Sequence, residues 1–191
     1  MSALAQAVPL PTEPPLLTAE EYAQLPDDGR FTELVRGRIV EMSRPTPAHG
    51  YYCANIIRAL GNFVVERDLG RVVGNDSGVV TRRAPDSVRG PDVAYYSYNV
   101  VPKGPLPEGY WPAPELIFEV NSPNDRWLEV LAKVAEYLAS GVHVVCVLDP
   151  DSSALHVYRP DARPEQLGLE QDLVLTELHP DFRIPVRQIF A

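Results

Sequence analysis

The segment from Pro114 to Pro150 constrains the fold more than any other. It carries a short apolar run, an amphipathic helix pattern and a second apolar run, with clear punctuation between them. Leu116–Val120 (LIFEV) suits a buried strand. A period of two sends Leu116, Phe118 and Val120 to one face, and Ile117 and Glu119 to the other. An acid in such a strand is costly when dry and unpaired, so Glu119 must sit at the sheet rim, bind a metal or meet a cation. Asn121 to Asp125 reads as a turn and helix start, with Ser122 or Asn124 as the cap and Asp125 in the first turn. The helix is predicted from Arg126 to about Ser140, with Leu128, Leu131, Val134, Ala135 and Leu138 as its apolar stripe and Gly141 as its stop. Val142 to Leu148 is almost wholly apolar, the pattern of a central strand covered on both faces. Together they make a βαβ-like unit, right-handed if the strands are parallel. Lys133 has two readings: a surface ion-pair ladder with Glu129 and Glu136, or a side chain that reaches back over the strand end to the acids.

The second informative patch is Arg89 to Tyr96, where Pro91 precedes a short strand that Asp92 opens. Proline can begin a strand but not sit centrally in one. Alone, Asp92 reads as a turn acid; it gains weight because Glu119 also lies in a short, otherwise apolar strand. Two carboxylates on neighbouring strands can hold one divalent ion and the water it activates, and magnesium suits oxygen ligands and a phosphate substrate.

The rest of the chain supplies the frame. Residues 1 to 17 carry four prolines and read as a flexible arm; residues 18 to 191 read as one domain. Thr18 and Glu21 form a capping box for a short helix that ends near Leu25. Phe31 to Val35 and Arg38 to Met42 read as a hairpin about Arg36-Gly37, with Glu33 in its first strand as an exposed edge acid. A long helix follows from about Ala48 to Arg67, with Tyr52, Ile56, Leu60, Phe63 and Val64 as its packed face and His49 in its first turn. Strands are predicted at Arg71 to Gly74 and Gly78 to Arg82, around Asn75-Asp76-Ser77. Tyr98 to Pro112 is a loop of about fifteen residues, a length often reserved for function; Tyr110 and Trp111 either stack on a base or pin the loop down. Beyond Pro150, Ser153 to Tyr158 pairs with the strand before it, Arg159 to Gly168 is a surface loop, Leu173 to Leu175 is a strand, and Ile184, Val186, Ile189 and Phe190 pack the tail down.

Composition narrows the class. The chain of 191 residues is 45% hydrophobic and 23% charged, an ordinary soluble profile with one sizeable core. Cys53 and Cys146 lie in apolar contexts, suggest no disulfide framework and no ligand cluster, and fit a cytoplasmic protein. No apolar run is long enough for a membrane helix, and the N-terminus lacks a secretory pattern. A net charge of −9 argues against a basic nucleic-acid-coating surface, although a local basic patch or bound cation can reverse the sign of one cleft. There is no glycine-rich phosphate loop, HExxH, CxxC or nucleophile elbow.

Phe31-Thr32-Glu33-Leu34-Val35-Arg36-Gly37, Pro45 to His49, Gly90-Pro91-Asp92-Val93-Ala94, Pro114 to Pro123, and Lys133 with Tyr137, Gly141-Val142 and Asp149-Pro150 form an ordered set. Over about residues 17 to 190 this set resembles the large bacterial family of uncharacterised restriction-endonuclease-like proteins, of the PD-(D/E)XK nuclease superfamily. The resemblance implies an α/β (α+β) fold: a restriction-endonuclease-like core with a mixed central β-sheet flanked by helices. It also implies a Mg2+-dependent endonuclease, with Mn2+ as an alternative cation, that hydrolyses DNA phosphodiester bonds; a homodimer is expected with duplex cleavage, because two symmetric sites can address two strands. Carried across residue by residue, Asp92 matches the acid of the Pro-Asp pair, Glu119 the second acid and Glu33 the early acid. The usual lysine position holds Asn121, a departure that moves the lysine role to Lys133. The implied metal ligands are Asp92, Glu119 and the backbone carbonyl of Val120; His49 is a candidate phosphate contact, and Arg82, Arg83 and Arg89 are candidate contacts to the DNA backbone. The proline-rich arm and Ile189-Phe190 are candidate dimer-interface pieces. Two rivals remain: a catalytically silent module for partner binding, and a metal-dependent hydrolase of another phosphate ester.

Overall fold

A computed structural model describes residues 14–122 and 125–191. Most of the arm and the candidate cap Asn124 lie outside the described residues. The short helix α1 (Ala19–Ala23) begins on the expected capping box, with the Thr18 and Glu21 side chains each accepting from the other's backbone. Strands β1 (Thr32–Val35) and β2 (Arg38–Glu41) pair about Arg36 and Gly37, whose φ angles of 50° and 76° make the tight turn. Helix α2 (Pro47–Glu66) follows; its Thr46 cap accepts from the His49 amide, and Ile56, Leu60 and Val64 are buried as the pattern required.

Strands β3 (Gly70–Gly74) and β4 (Val79–Arg82) then go to different sheets. β4, β5 (Ser87–Arg89), β1 and β2 build a four-stranded antiparallel sheet. The larger sheet has the order β10-β9-β8-β7-β6-β3, where β6 is Val93–Ser97, β7 Leu116–Val120, β8 Val144–Asp149, β9 Ala154–Tyr158 and β10 Glu165–Gly168. Only β7 and β8 are parallel, and helix α3 (Trp127–Ala139) joins them. A two-stranded piece, β11 (Asp172–Val174) with β12 (Arg183–Pro185), and the short α4 (Val186–Phe190) complete the chain. The architecture is a mixed α/β fold with central sheets flanked by helices, consistent with a restriction-endonuclease-like arrangement.

The two faces of the large sheet carry separate cores. Ile56, Leu60 and Val64 of α2 pack with Phe118, Val120, Cys146 and Leu148. Val130, Val134 and Tyr137 of α3 pack with Ala94, Ile117, Val145 and Val147. The alternation of one strand therefore divides its residues between two helices.

Several expectations need correction. The buried stripe of α3 is Val130, Val134 and Tyr137; Leu128 and Leu131, predicted inside, are 80% and 42% exposed. Two apolar stripes compete on this helix, and the one that carries the large Tyr137 ring wins the core. Arg126 caps α3 without a side-chain bond, while Asp125 accepts from the Ser122 amide in the preceding turn. The predicted surface loop after Arg159 contains the edge strand β10, because the exposed edge of β9 takes a partner. Ile189 is fully buried within its own chain and is unavailable to a dimer partner. The described end of the arm lies on the hairpin: the Leu17 amide donates to the Gly37 carbonyl. Trp111 pins the long loop by an edge contact to Tyr96 and an indole bond to Pro107, and Tyr110 stacks on Tyr22.

Candidate metal centre

β6 begins and β7 ends at the rim that carries the two carboxylates. Val93 pairs with Phe118 and Ala94 with Ile117; the same register carried one residue further sets Asp92 opposite Glu119. The Val120 amide donates to Asp92 Oδ2 at 2.6 Å. A strand amide lies in the plane of its sheet, so this oxygen sits between the strand ends, open to side chains from both faces.

From the α3 face comes Lys133. Its Nζ lies 3.1 Å from Glu33 Oε1 and 4.0 Å from Glu119 Oε1. The alternative ladder does not form: Glu129 is exposed, and Glu136 accepts from Arg89 at 2.6 and 3.1 Å and from the Thr81 hydroxyl at 2.5 Å. Tyr137, one turn beyond Lys133, donates its hydroxyl to Glu119 Oε1 at 2.7 Å. Burial pulls the Lys133 pKa down, but the Glu119 and Glu33 charges outweigh it, and the ammonium is held above its usual range.

Glu33 is not an exposed edge acid. β1 is flanked by β2 and β5, and Glu33 is only 4% exposed. Its oxygens accept from Arg89 Nη1 at 2.8 Å, the Gly90 amide at 3.1 Å and Lys133. Burial alone would raise its pKa; Lys133 and Arg89 reverse the sign and hold it low. Arg89 is correspondingly locked between Glu33 and Glu136, and so is not free to meet a DNA backbone. Arg83 is tied to Glu20 and Asp86.

Glu119 is the uncompensated member. Burial pushes its carboxyl up to about 8; Lys133 opposes the rise and Asp92 adds to it. Lys133 leans towards Glu33, which is why the nearby ammonium does not win. Two carboxylates facing each other in a dry place favour a cation between them. Asn121, one strand period beyond Glu119, adds a buried side-chain oxygen without a hydrogen-bond partner. This oxygen-rich strand end fits a hard divalent cation.

From the α2 face come His49 and Cys53. His49 Nε2 lies 3.2 Å from Asp92 Oδ2, and Cys53 Sγ lies 3.5 Å from His49 Nδ1. The bond to Asp92, then that to Cys53, raises the His49 pKa to about 10. One ligand atom from each of His49, Cys53 and Asp92 lies within 4.8 Å of the others, so this cluster could hold a metal ion. The expectation that neither cysteine joins a ligand cluster is overturned for Cys53; both cysteines are free thiols. The spacing of His49 and Cys53 on one helical face was a usable signal, whereas Asp92 joins them only through the sheet. Asp76 was read as a turn residue. It lines a cleft of about 80 Å³ together with Glu33, Arg89, Gly90, Tyr22 and Tyr110. Burial, then the charge on Asp92, raises its pKa to about 6. Nothing in its local sequence marked it.

No described helix is long and apolar enough to cross a membrane. No curated protein matches the sequence. A crystal structure of a putative nuclease belonging to DUF820, from Anabaena variabilis ATCC 29413, shares the fold at 18% identity. The match has a TM-score of 0.80 and covers 91% of this chain and 97% of that one. A family profile described as Uma2, putative restriction endonuclease, matches residues 19–187, nearly the whole described chain, and the protein belongs to that family.

Proposed function

We propose that the protein is a magnesium-dependent endonuclease of the PD-(D/E)XK superfamily that hydrolyses phosphodiester bonds in DNA. The observation that carries this reading is the convergence of Asp92, Glu119 and Lys133 from three elements on one strand end, with Lys133 between Glu33 and Glu119. Asp92, Glu119 and the Val120 carbonyl would hold the cation. A strand residue's N–H and C=O leave by the same edge, and the Val120 N–H is turned to Asp92. When bound, magnesium supplies a Lewis acid that lowers the pKa of a coordinated water and offsets charge at the phosphoryl group.

Lys133 acts as a charged donor rather than a base, because the two glutamates keep its proton on. It stabilises negative charge as the water oxygen bonds to phosphorus and the ester P–O bond breaks. Glu33 is a positioning residue: its bonds to Arg89, the Gly90 amide and Lys133 leave it fixing the ammonium rather than binding a second metal. Tyr137 orients Glu119 by donating its hydroxyl to Oε1. Phosphate chemistry of this kind carries no sequence preference by itself.

A homodimer belongs to the same proposal, since two symmetric copies would address both strands. Trp127, Leu128 and Leu131 on α3 offer an exposed apolar patch for that contact. The test is cleavage of a panel of plasmid, single-stranded DNA and RNA with Mg2+ or Mn2+. Wild type should cut DNA, whereas Asp92→Ala and Glu119→Ala should not. Cleavage retained in both acid variants, or absent in freshly folded wild type with either cation, would overturn the reading.

A further inference from the structure

We propose that His49, Cys53 and Asp92 form a binding site for a thiophilic divalent cation, zinc first among them, and that this site shares Asp92 with the oxygen-lined site on the other face of the sheet. His49 and Cys53 are one turn apart on α2, so they present their ligand atoms on one helical face. The His49 and Asp92 ligand atoms are already 3.2 Å apart, and all three donors fall within 4.8 Å. Tetrahedral zinc, with ligand distances of about 2.0 to 2.3 Å, needs its donors about 3.3 to 3.8 Å apart. Cys53 Sγ lies 3.5 Å from His49 Nδ1, the ring nitrogen that does not face Asp92, so the sulfur has to leave that contact and close in for the three donors to share one ion.

The donor chemistry decides the cation. One sulfur, one imidazole nitrogen and one carboxylate oxygen suit zinc, whereas magnesium demands a near-octahedral shell of oxygens. Three protein ligands leave a fourth position open, the pattern of exchangeable zinc rather than of a closed structural site. The His49 and Asp92 side chains are 12% and 6% exposed, dry enough to strengthen the ligation yet at the sheet rim, where an ion can enter. Glu119 and Lys133 take no part. Because Asp92 belongs to both sites, a zinc ion on the α2 face competes with a magnesium ion on the α3 face. The zinc claim itself needs no nuclease activity, so it stands or falls separately from the proposed function.

The experiment titrates full-length, reduced, metal-free protein with Co2+ and follows visible and near-ultraviolet absorbance. The expected result is a single tight equivalent with a near-ultraviolet thiolate-to-cobalt band. Stoichiometric Zn2+ bleaches the band, and Mg2+ in about hundredfold excess does not. Cys53→Ser should lose the band and Cys146→Ser should keep it. A missing band, a band that follows Cys146, or bleaching by Mg2+ would overturn the proposal. X-ray absorption at the zinc edge of wild type requires no variant. One sulfur at about 2.3 Å with nitrogen or oxygen at about 2.0 Å supports the site, and an oxygen-only shell refutes it.

Discussion

The two helices that flank the large sheet approach one strand end from opposite faces, α3 meeting Glu119 and α2 meeting Asp92, and they bring opposite kinds of chemistry. From α3 come Lys133 and Tyr137, backed by a buried lattice of Glu33, Arg89 and Glu136 in which charge meets charge at 2.6 to 3.1 Å. From α2 come His49, 3.2 Å from Asp92, and Cys53, 3.5 Å from His49, longer contacts through groups that can be neutral. The α3 side is saturated and therefore rigid; the α2 side is softer and can change partners. The contrast teaches that a short strand register can set two acids side by side in two different environments, and that the saturated side fixes the geometry.

The comparison breaks most visibly at Arg89. Replacing it with Met leaves half-buried Glu136 without its cation and buried Glu33 with Lys133 alone, and should cost about 3 kcal/mol in denaturant unfolding. A loss below about 1 kcal/mol would mean that the lattice is not the rigid side. Next in size, Lys133→Met should lower cleavage about a hundredfold to a thousandfold, whereas His49→Asn lowers it only about a few-fold. Single-turnover rates of the two variants would measure the difference, and equal losses would erase the distinction between the faces.

A smaller effect is the pH dependence of the metal-free protein. Burial raises Glu119 to about 8, so the folded state holds that proton more tightly than the unfolded chain does. Its contribution to stability is complete below the ordinary value of 4.5 and is lost as pH rises through about 8. His49 has the same sign, but its window runs from 6.5 to about 10, and Asp76 falls away between 3.8 and about 6. Melting curves of wild type and Glu119→Gln isolate the Glu119 part. Between about pH 5 and about pH 8 the wild type should lose stability relative to the variant. A constant difference would remove the burial argument. The smallest effect is at Glu129, which is exposed and outside the lattice; Glu129→Gln should stay within about 0.5 kcal/mol. A cost like that of Glu136→Gln would restore the surface ladder.

Much of this arrangement was legible in the residues. The apolar run with Glu119, the helix that carries Lys133 and the apolar run after Gly141 read as a strand-helix-strand unit, and β7 and β8 pair in parallel within it. Proline before Asp92 marked the strand start, and the capping box marked α1. What stayed hidden depended on rotation and on distance along the chain. Leu128 and Leu131 scored as core because helical periodicity cannot choose between two apolar stripes until Tyr137 has found its cavity. Glu33 looked like an edge acid because its partners, Arg89 and Lys133, lie far away in sequence. Cys53 looked inert because the thiol gains its meaning only when the sheet carries Asp92 to the first turns of α2. Asp76 is half-buried by loop geometry that no local pattern announces.

The most direct test of the central claim, that Asp92 and Glu119 jointly hold a hard divalent cation, is calorimetric titration of Mn2+ into wild type, Asp92→Asn, Glu119→Gln, Lys133→Met and Cys53→Ser. The account predicts one site in wild type that is lost in both acid variants and kept in the lysine and cysteine variants. Binding that survives both acid substitutions, or that disappears with Cys53→Ser alone, would contradict it.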